Sequence, residues 1–256
     1  MHYRPINGDP EDDRLGRLIP DDWKHIERYP LTVPPEEAPT SRPVVIGVNW
    51  YSEFDHPEAD EDSGEYFIAR GGANSLTKIR GGHCVCLEPG GEPDPEEWWG
   101  FYDQGSEGAC VGFGWSRCVS IFNKELYVAR WLWDRAKESD EWPETNPGDD
   151  NGTSVRAGGD VLVKGHVDWK DEYADDDYTE RGDYKPAADN GINMFRWARS
   201  VEDVHAVLGN ERADELGAVP FLNSWGLGYP HRTWMPDDVL DRLMNEEGEV
   251  AVPADR

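Results

Sequence analysis

Residues 103–122 read DQGSEGACVGFGWSRCVSIF, a glycine-bearing loop that runs into a predicted helix. The apolar residues of the second half recur at spacings of three and four, which marks one helix face, at Val111, Trp115, Val119 and Phe122. This spacing predicts a helix that begins close to Cys110 and buries the stripe. Cys110 therefore lies at the junction between the loop and the helix.

A cysteine at the start of a helix lies among unpaired backbone N–H groups, at the positive end of the helix dipole. Both effects lower the pKa of a thiol and favour the reactive thiolate, so Cys110 is a candidate nucleophile. The same N–H groups can bind an oxyanion, and the side-chain amide of Gln104 could join them. Gly108 leaves room for a substrate carbonyl. A buried structural cysteine at a helix start explains the local sequence equally well.

Strand patterns flank this helical middle on both sides. Residues 43–51 (PVVIGVNWY) and 81–87 (GGHCVCL) precede it and residues 219–225 (VPFLNSW) follow it, all rich in β-branched or aromatic residues. Capping and stop signals predict further helices at 126–137, from Thr153 or Ser154 to Lys164, from Ser200 to Gly209, and after Pro236. Helices in the middle with strands at both flanks indicate an α+β fold.

The composition excludes several classes of partner. The 256 residues include 53 Asp and Glu against 25 Lys and Arg, for a formal net charge of −28. Such a chain is repelled by the nucleic-acid backbone and by anionic membranes, so we expect neither as a partner. No apolar run is long enough to cross a bilayer, and residues 1–14 lack the apolar core of a secretory signal. These features favour a cytoplasmic location.

The four cysteines do not indicate a disulfide framework. We expect Cys84 and Cys86 to point to opposite faces of their strand, and Cys110 and Cys118 to lie too far apart on their helix to pair. No CxxC motif and no Cys/His spacing of a zinc site is present, so the sequence predicts neither a metal nor a cofactor. Reduced thiols fit an intracellular compartment.

Two separate segments resemble the active-site signatures of papain-like cysteine peptidases. Residues 103–113 are similar to the segment in which a Gln-Gly pair, here Gln104-Gly105, precedes the nucleophilic cysteine at the head of the central helix. Residues 223–226 (NSWG) match the signature that carries the residue orienting the catalytic imidazole. The chain also resembles compact, acidic members from actinobacteria and their phages, which makes association with a phage a further hypothesis about location.

This resemblance implies a fold and a set of roles. The fold would be a helical subdomain and an antiparallel β subdomain with the active-site cleft between them. Cys110 would attack a peptide carbonyl, Gln104 would stabilise the oxyanion, Asn223 would orient a histidine, and Trp225 would shield that contact from water. Trp225 and Gly108 are the predicted binding residues. Glu107 stands where secreted members carry a disulfide cysteine, which suits a reduced relative.

The catalytic histidine is out of its usual place. In the family it lies between the cysteine and the asparagine, where this chain offers only His166, which resembles a turn residue, and His205, which lies within a predicted helix. His83 lies upstream, in a Gly-Gly-His-Cys-Val context that resembles the family's histidine strand. We therefore expect a rearrangement similar to a circular permutation, with the histidine strand ahead of the cysteine helix. His83 is the favoured base, and His166 and His205 remain alternatives.

These inferences combine into one functional hypothesis. Residues 1–42 form an extended arm, and 43–256 form a single papain-like catalytic domain. Its parts are a His hairpin at 43–89, a Cys helix region at 100–165 and a C-terminal β/Asn region at 190–250. The domain would be a cysteine-type peptidase acting on a peptide or protein substrate. The alternatives are a catalytically inactive papain-like binding or structural module, and a thiol amidase acting on a non-peptide amide.

Overall fold

The computed structural model describes residues 41–90, 102–142, 149–167, 188–246 and 248–254. The predicted arm lies outside these ranges except for its last two residues. Residues 168–187 also lie outside them, and Ala188–Asn190 form a 3-10 turn.

Eight strands in the described ranges form one sheet, with neighbours in the order β2-β3-β7-β6-β4-β1-β8-β5. Every pairing is antiparallel except that of β3 with β7. The strands are β1 (Val44–Tyr51), β2 (Glu58–Ala59), β3 (Tyr66–Phe67), β4 (Ile79–Leu87), β5 (Met194–Trp197), β6 (Ala218–Leu222), β7 (Arg232–Pro236) and β8 (Glu249–Ala254).

Six α-helices accompany the sheet in the same ranges. They are α1 (Cys110–Asn123), α2 (Ala129–Lys137), α3 (Val155–Leu162), α4 (Val201–Leu208), α5 (Glu211–Leu216) and α6 (Asp237–Asn245). Three 3-10 turns follow strands or loops at Ser52–Phe54, Ala73–Ser75 and Gly226–Gly228. The α+β prediction is confirmed.

The sheet has apolar layers on both of its faces because side chains alternate along each strand. On the first face, Val45 and the β4 cysteines pack with the buried sides of α1, α2 and α3. On the second face, Ile46 and Val85 pack with α4 and α6, in a cluster that includes Val204 and Leu240. A layer on each face explains why β1 is buried along nearly its whole length.

Helix α1 is the most enclosed helix described, with twelve of its fourteen residues buried. Two glycines allow this close packing. A Cβ at Gly112 would lie 2.3 Å from the carbonyl oxygen of Ala129 in α2, and a Cβ at Gly114 would lie 2.8 Å from the sulfur of Cys84 in β4. The helix is thus held between the sheet and its neighbouring helix, which fixes the position of Cys110 at its N-terminus.

The predicted capping residues are confirmed for two helices. The Ser154 hydroxyl accepts a hydrogen bond from the Ala157 N–H at the start of α3, and that of Ser200 accepts one from Asp203 at the start of α4. Gly209 ends α4 in the left-handed conformation (φ 52°). The helix predicted from residue 126 begins instead at Ala129, because the backbone of Val128 is not helical (φ −79°, ψ 88°).

Two predictions about side-chain direction are wrong. Phe122 belongs to the predicted apolar stripe but is 40% exposed, because α1 ends one residue later at the surface. Cys84 and Cys86 lie on the same face of β4, both in the layer against α1, since residues two apart in a strand share a face. All four cysteines are free and buried.

Candidate functional site

Pairings within the sheet bring the two distant sequence motifs together. β4, which carries His83, pairs with β6 through Cys86 opposite Leu222, and Asn223 is the residue that follows β6. Continuing this antiparallel register places Trp225 opposite His83. α1 packs on the first face of β4, so that Cys110, its first residue, approaches the same end of the strand.

A hydrogen bond joins His83 to Asn223. The Nε2 of His83 lies 2.8 Å from the side-chain oxygen Oδ1 of Asn223, and the backbone N–H of Ser224 donates to the same oxygen at 2.8 Å. Because a backbone N–H can only donate, the atom it contacts is the amide oxygen, and the imidazole must donate from Nε2. In the neutral ring the lone pair is therefore on Nδ1, which is free to accept a proton.

Aromatic rings enclose the imidazole. The centroid of the Trp225 ring lies 5.0 Å from that of His83 at an angle of 36°, and the Trp50 ring lies 4.6 Å away on an edge at 71°. This burial lowers the pKa of His83 to about 4, although the hydrogen bond to Asn223 and the charge of Asp55 oppose the shift. The resting imidazole is neutral.

The Cys110 thiol is buried as well. Burial raises its pKa to about 11, while backbone N–H groups of Cys84, Cys110 and Val111 act in the opposite direction. No side chain caps the start of α1, so its first N–H groups stay available to a ligand. The expectation that the helix terminus favours a resting thiolate is not supported, because desolvation outweighs the helix dipole here.

Gln104 links the loop before α1 to the segment after β6. Its Oε1 accepts a hydrogen bond from the Ser224 hydroxyl at 2.6 Å, and its backbone N–H donates to the Ser224 carbonyl at 2.9 Å. One N–H of its amide donates to the carbonyl oxygen of Glu107. Asp103 and Trp225 form an isolated antiparallel bridge beside these contacts. The two motifs thus form one connected unit, with Gln104 held rigidly inside it.

A cleft opens between the sheet and the helices. Its walls include His83 and Cys110 together with mostly small or apolar residues, Gly47, Gly82, Cys84, Gly108, Val111, Trp142, Gly152, Thr153 and Val155. A Cβ at Gly108 would lie 2.5 Å from the carbonyl oxygen of Asp150. Gly108 is therefore required by the approach of the 149–152 backbone, in addition to any role toward a ligand.

The structure places the two alternative histidines elsewhere. His166 is fully buried in the α1 layer, where it contacts the Ser116 hydroxyl at 2.8 Å and stacks on the Tyr127 ring. Burial lowers its pKa to about 3. Ser116 is six residues from Cys110, about 9 Å along the helix axis. His205 lies between Asp214 and Asp237, 2.7 and 2.8 Å from their carboxylates.

Sequence reasoning missed several residues around the site. Trp50 contacts His83 directly, and Asp55 accepts a hydrogen bond from the Trp50 indole N–H at 3.0 Å. Trp142 and Thr153 line the cleft opposite the sheet. Val48 of β1 is opposite His83 of β4, and Trp50 lies two residues after Val48. Trp50 and His83 therefore share one face of the sheet, and this pairing is the signal that could have pointed to Trp50.

The described residues include neither a metal site nor a helix that could span a membrane. They contain no group of three or more His, Cys, Asp or Glu residues arranged to hold a metal ion. None of the helices in the described ranges is both long and apolar enough to cross a membrane.

Comparisons with known proteins give one structural likeness. No family model and no curated protein sequence matches the chain. The crystal structure of xylellain, a cysteine protease from Xylella fastidiosa, is similar to it with 18% sequence identity and a TM-score of 0.46. The similarity covers 66% of this chain and 87% of that one.

Proposed function

We propose that this chain is a cysteine-type peptidase that hydrolyses peptide bonds with Cys110, His83 and Asn223. The observation that carries the proposal is the hydrogen bond from His83 Nε2 to Asn223 Oδ1, which turns the unprotonated Nδ1 of a cleft-lining imidazole toward use as a base. Cys110, the first residue of α1, lines the same cleft. A thiol and an oriented base that line one cleft fit acyl transfer.

The first chemical step transfers the thiol proton and forms the new bond. Nδ1 of His83 takes the proton from the Cys110 sulfur as the sulfur attacks the carbonyl carbon. The resting pair is a neutral thiol and a neutral imidazole, because burial disfavours both charges. Charge separation therefore belongs to the reaction itself, and Asn223 stabilises the imidazolium by accepting from Nε2 throughout.

The second step releases the amine and restores the enzyme. The imidazolium gives its proton to the leaving nitrogen, the C–N bond breaks, and an acyl-enzyme remains on Cys110. Water then attacks this thioester, losing a proton to His83, and the carboxylic acid leaves as the sulfur regains its proton. Trp225, which lies over the His83–Asn223 contact, limits the access of water to that hydrogen bond.

The negative oxygen of the tetrahedral intermediate needs donors. The uncapped backbone N–H of Cys110 is one, and the amide of Gln104 has one N–H beyond the contact with Glu107. The bond from Ser224 to Gln104 Oε1 fixes which end of this amide is the donor. These contacts support an oxyanion site formed by Gln104 and the start of α1.

We extend the proposal to the organisation of the chain. Residues 43–256 would form a single papain-like catalytic domain with the His hairpin at 43–89, ahead of the Cys helix region at 100–165 and the Asn region at 190–250. The position of β1 and β4 between β6 and β8 supports a rearranged order, since an early pair of strands lies within a sheet completed by late ones. Residues 1–42 would form an arm outside this domain.

A catalytically inactive papain-like module is the second candidate. The observation in its favour is the burial of the nucleophile, which raises the pKa of Cys110 to about 11 and would leave it unreactive at neutral pH without a functioning base. The thiol amidase differs from the peptidase only in its substrate. The experiment below distinguishes the inactive module and the thiol amidase from the peptidase.

Selective alkylation and digestion of a denatured protein test the proposal together. At pH 6, limiting iodoacetamide should label Cys110 before the other three cysteines, as measured by peptide mapping with mass spectrometry. Denatured casein should be cleaved, and Cys110→Ala and His83→Ala should each abolish cleavage. Cys118→Ala is the matched control, because this cysteine lies on the same helix but outside the cleft.

The outcomes separate the candidates. Equal labelling of all four thiols, or equally slow labelling of all, contradicts an activated nucleophile and favours the inactive module. Selective labelling that depends on His83, without cleavage of casein or of a mixed peptide library, favours the amidase. Labelling that depends on His166 and not on His83 would refute the assignment of the base.

A further inference from the structure

A carboxylate lies behind the aromatic wall of the His83 site. Asp55 follows the 3-10 turn Ser52–Phe54, and its Oδ1 accepts a hydrogen bond from the Trp50 indole N–H at 3.0 Å. Its other oxygen forms an ion pair with Arg80 at 2.6 Å. Two donors therefore hold this carboxylate in one orientation, with its side chain only 19% exposed.

Trp50 connects this carboxylate to the imidazole. It is 3% exposed, and its ring contacts those of His83, Trp225 and Phe54 at centroid distances of 4.6, 5.3 and 5.1 Å. The residue opposite Trp50 in β4 is Gly81, which has no side chain to occupy the space. The indole can therefore lean along the sheet onto His83, its diagonal neighbour.

The same turn also supports the asparagine side of the pair. The Tyr229 hydroxyl donates a hydrogen bond to the carbonyl oxygen of Phe54 at 3.0 Å. Tyr229 packs edge-on against Trp225, with ring centroids 5.2 Å apart. The turn after β1 thus contacts residues on both sides of the His83–Asn223 hydrogen bond.

Few charged or titratable groups lie near His83 among the described residues. Asp55 comes from the turn after β1, and Tyr229, which packs on Trp225, comes from the segment after β6. Arg80 and Cys84 belong to β4 itself, with Cys84 on its opposite face, and Cys110 of α1 lines the same cleft as His83. Burial raises the pKa values of both cysteines and of Tyr229, so all three are neutral near pH 7. Arg80 offsets part of the Asp55 charge, but its side chain is 56% exposed and solvent weakens its effect.

We propose that Asp55 and Trp50 are positioning residues for His83: Trp50 fixes the imidazole ring, and Asp55, anchored by the Trp50 indole, stabilises the protonated form of that ring. The inference rests on the proposed function, in which His83 takes up a proton in a buried site. The charge of Asp55 raises the pKa of His83 against the larger effect of burial. Without this carboxylate, formation of the imidazolium would cost more.

An NMR titration tests the inference without an activity assay. In a Cys110→Ser background, the His83 Cε1–H resonance is followed with pH in the presence and absence of Asp55→Asn. The amide keeps the shape of the side chain and an acceptor for Trp50, but removes the charge. We expect the pKa of His83 to fall by about half a pH unit, while the resonances of the other histidines titrate as before.

Two further variants make the test specific. Glu58→Gln removes one negative charge from an exposed position in β2, close in sequence to Asp55, and should leave His83 unchanged. Trp50→Phe keeps an aromatic ring but removes the indole N–H, and should lower the pKa of His83 as Asp55→Asn does. A shift of less than 0.1 pH unit in both Asp55→Asn and Trp50→Phe, or an equal shift in Glu58→Gln, would overturn the inference.

The pH profile of peptide cleavage gives the second readout. In Asp55→Asn with Cys110 intact, the acid limb of kcat/KM, which reports protonation of the His83 base, should move to lower pH by a similar amount, with KM nearly unchanged. If the NMR shift occurs but no peptide is cleaved by the parent protein, the proposed function fails and the electrostatic role of Asp55 stands. Cleavage with an unmoved acid limb contradicts the role of Asp55 and leaves the peptidase intact.

Discussion

The direction of the Asn223 amide determines which nitrogen of His83 can act as a base. The Ser224 N–H donates to Oδ1 and so leaves the imidazole as the second donor, through Nε2. One backbone contact thus sets the tautomer of a ring on another strand. The base therefore depends on an acceptor oxygen at residue 223 as well as on the imidazole.

Substitutions of Asn223 should separate the contribution of the acceptor oxygen from that of the imidazole itself. Asn223→Ala removes the acceptor, so we expect kcat to fall by about ten- to a thousandfold while the thiol remains present. Asn223→Asp keeps an acceptor and adds a negative charge, which favours the imidazolium. Its acid limb of kcat/KM should move to higher pH, because the added charge raises the pKa of His83. Steady-state kinetics across pH checks both, and an unchanged limb in Asn223→Asp would argue against the His83–Asn223 contact during turnover.

Gln104 has a structural and a proposed catalytic contact that can be tested apart. Gln104→Ala should lower kcat by about a hundred- to a thousandfold, with little change in KM, because the oxyanion loses a donor. Ser224→Ala is the control, since it removes the hydroxyl contact to Gln104 Oε1 and keeps the amide. Equal losses in the two variants would show that Gln104 acts only by holding the loop.

At this scale the sequence could propose residues but could not indicate their ionisation states. Two motifs suggested Cys110, Gln104 and Asn223 as candidates, and the strand context suggested His83. The charge states depend on desolvation, which follows from contacts with residues distant in sequence such as Trp50. The helix-dipole argument was local and therefore predicted the wrong direction for the pKa of Cys110.

Helix α1 is positioned by contacts on more than one side. Gly112 faces the backbone of α2, and Gly114 faces the sulfur of Cys84 in β4. Both glycines lie on the first turns of the helix, near Cys110. A displacement of this end of α1 by either neighbour would move Cys110 relative to His83, since the two belong to different elements.

The two glycines should respond differently to alanine. Alanine favours a helix by about 1 kcal/mol over glycine, but a Cβ at residue 112 meets the Ala129 carbonyl and Trp133, which cannot yield without moving α2. We expect Gly112→Ala to lower the free energy of unfolding by about 1–3 kcal/mol. Gly114→Ala meets only the Cys84 sulfur, so adding Cys84→Ala should relieve its strain. Urea denaturation of the single and double variants measures both effects.

The positions of several helices could be predicted from local signals in the sequence. Capping residues and apolar spacing predicted α1, α3 and α4, because those signals are local in the chain. The pairing of β4 with β6 and the exposure of Phe122 depend on long-range packing, which no window of sequence contains. The sheet order was therefore beyond prediction, although the roles assigned to the Gly-Gly-His segment and the NSWG motif required them to meet.

Across the whole molecule, buried ionisable groups limit stability on both sides of neutral pH. His83 and His166 are buried as neutral rings, with pKa values lowered to about 4 and about 3. The unfolded chain binds more protons there, so their contribution is lost as pH falls below about 6.5. Burial raises the pKa of Glu249 to about 7, so the folded chain holds the extra proton and its contribution is lost as pH rises from about 4.5.

Glu249→Gln should therefore stabilise the protein at alkaline pH. Near pH 8 the wild-type carboxylate is charged in a desolvated position, and the amide avoids this cost. We expect a gain of roughly 1–3 kcal/mol at pH 8 that disappears by pH 4.5. Thermal unfolding of both proteins at a series of pH values measures the difference. A gain independent of pH would mean that Glu249 acts through packing and not through its charge.

The central place of the β1–β4 pair also affects when the site can form during synthesis. β1 and β4 are made early, yet their neighbours β6 and β8 are made near residues 218–222 and 249–254. Until those strands leave the ribosome, both outer edges of the pair have unpaired backbone groups and are open to pairing with other chains. Asn223 emerges late as well. The nascent chain would therefore carry its thiol and imidazole without their alignment, and activity would begin only when the last strands close the sheet.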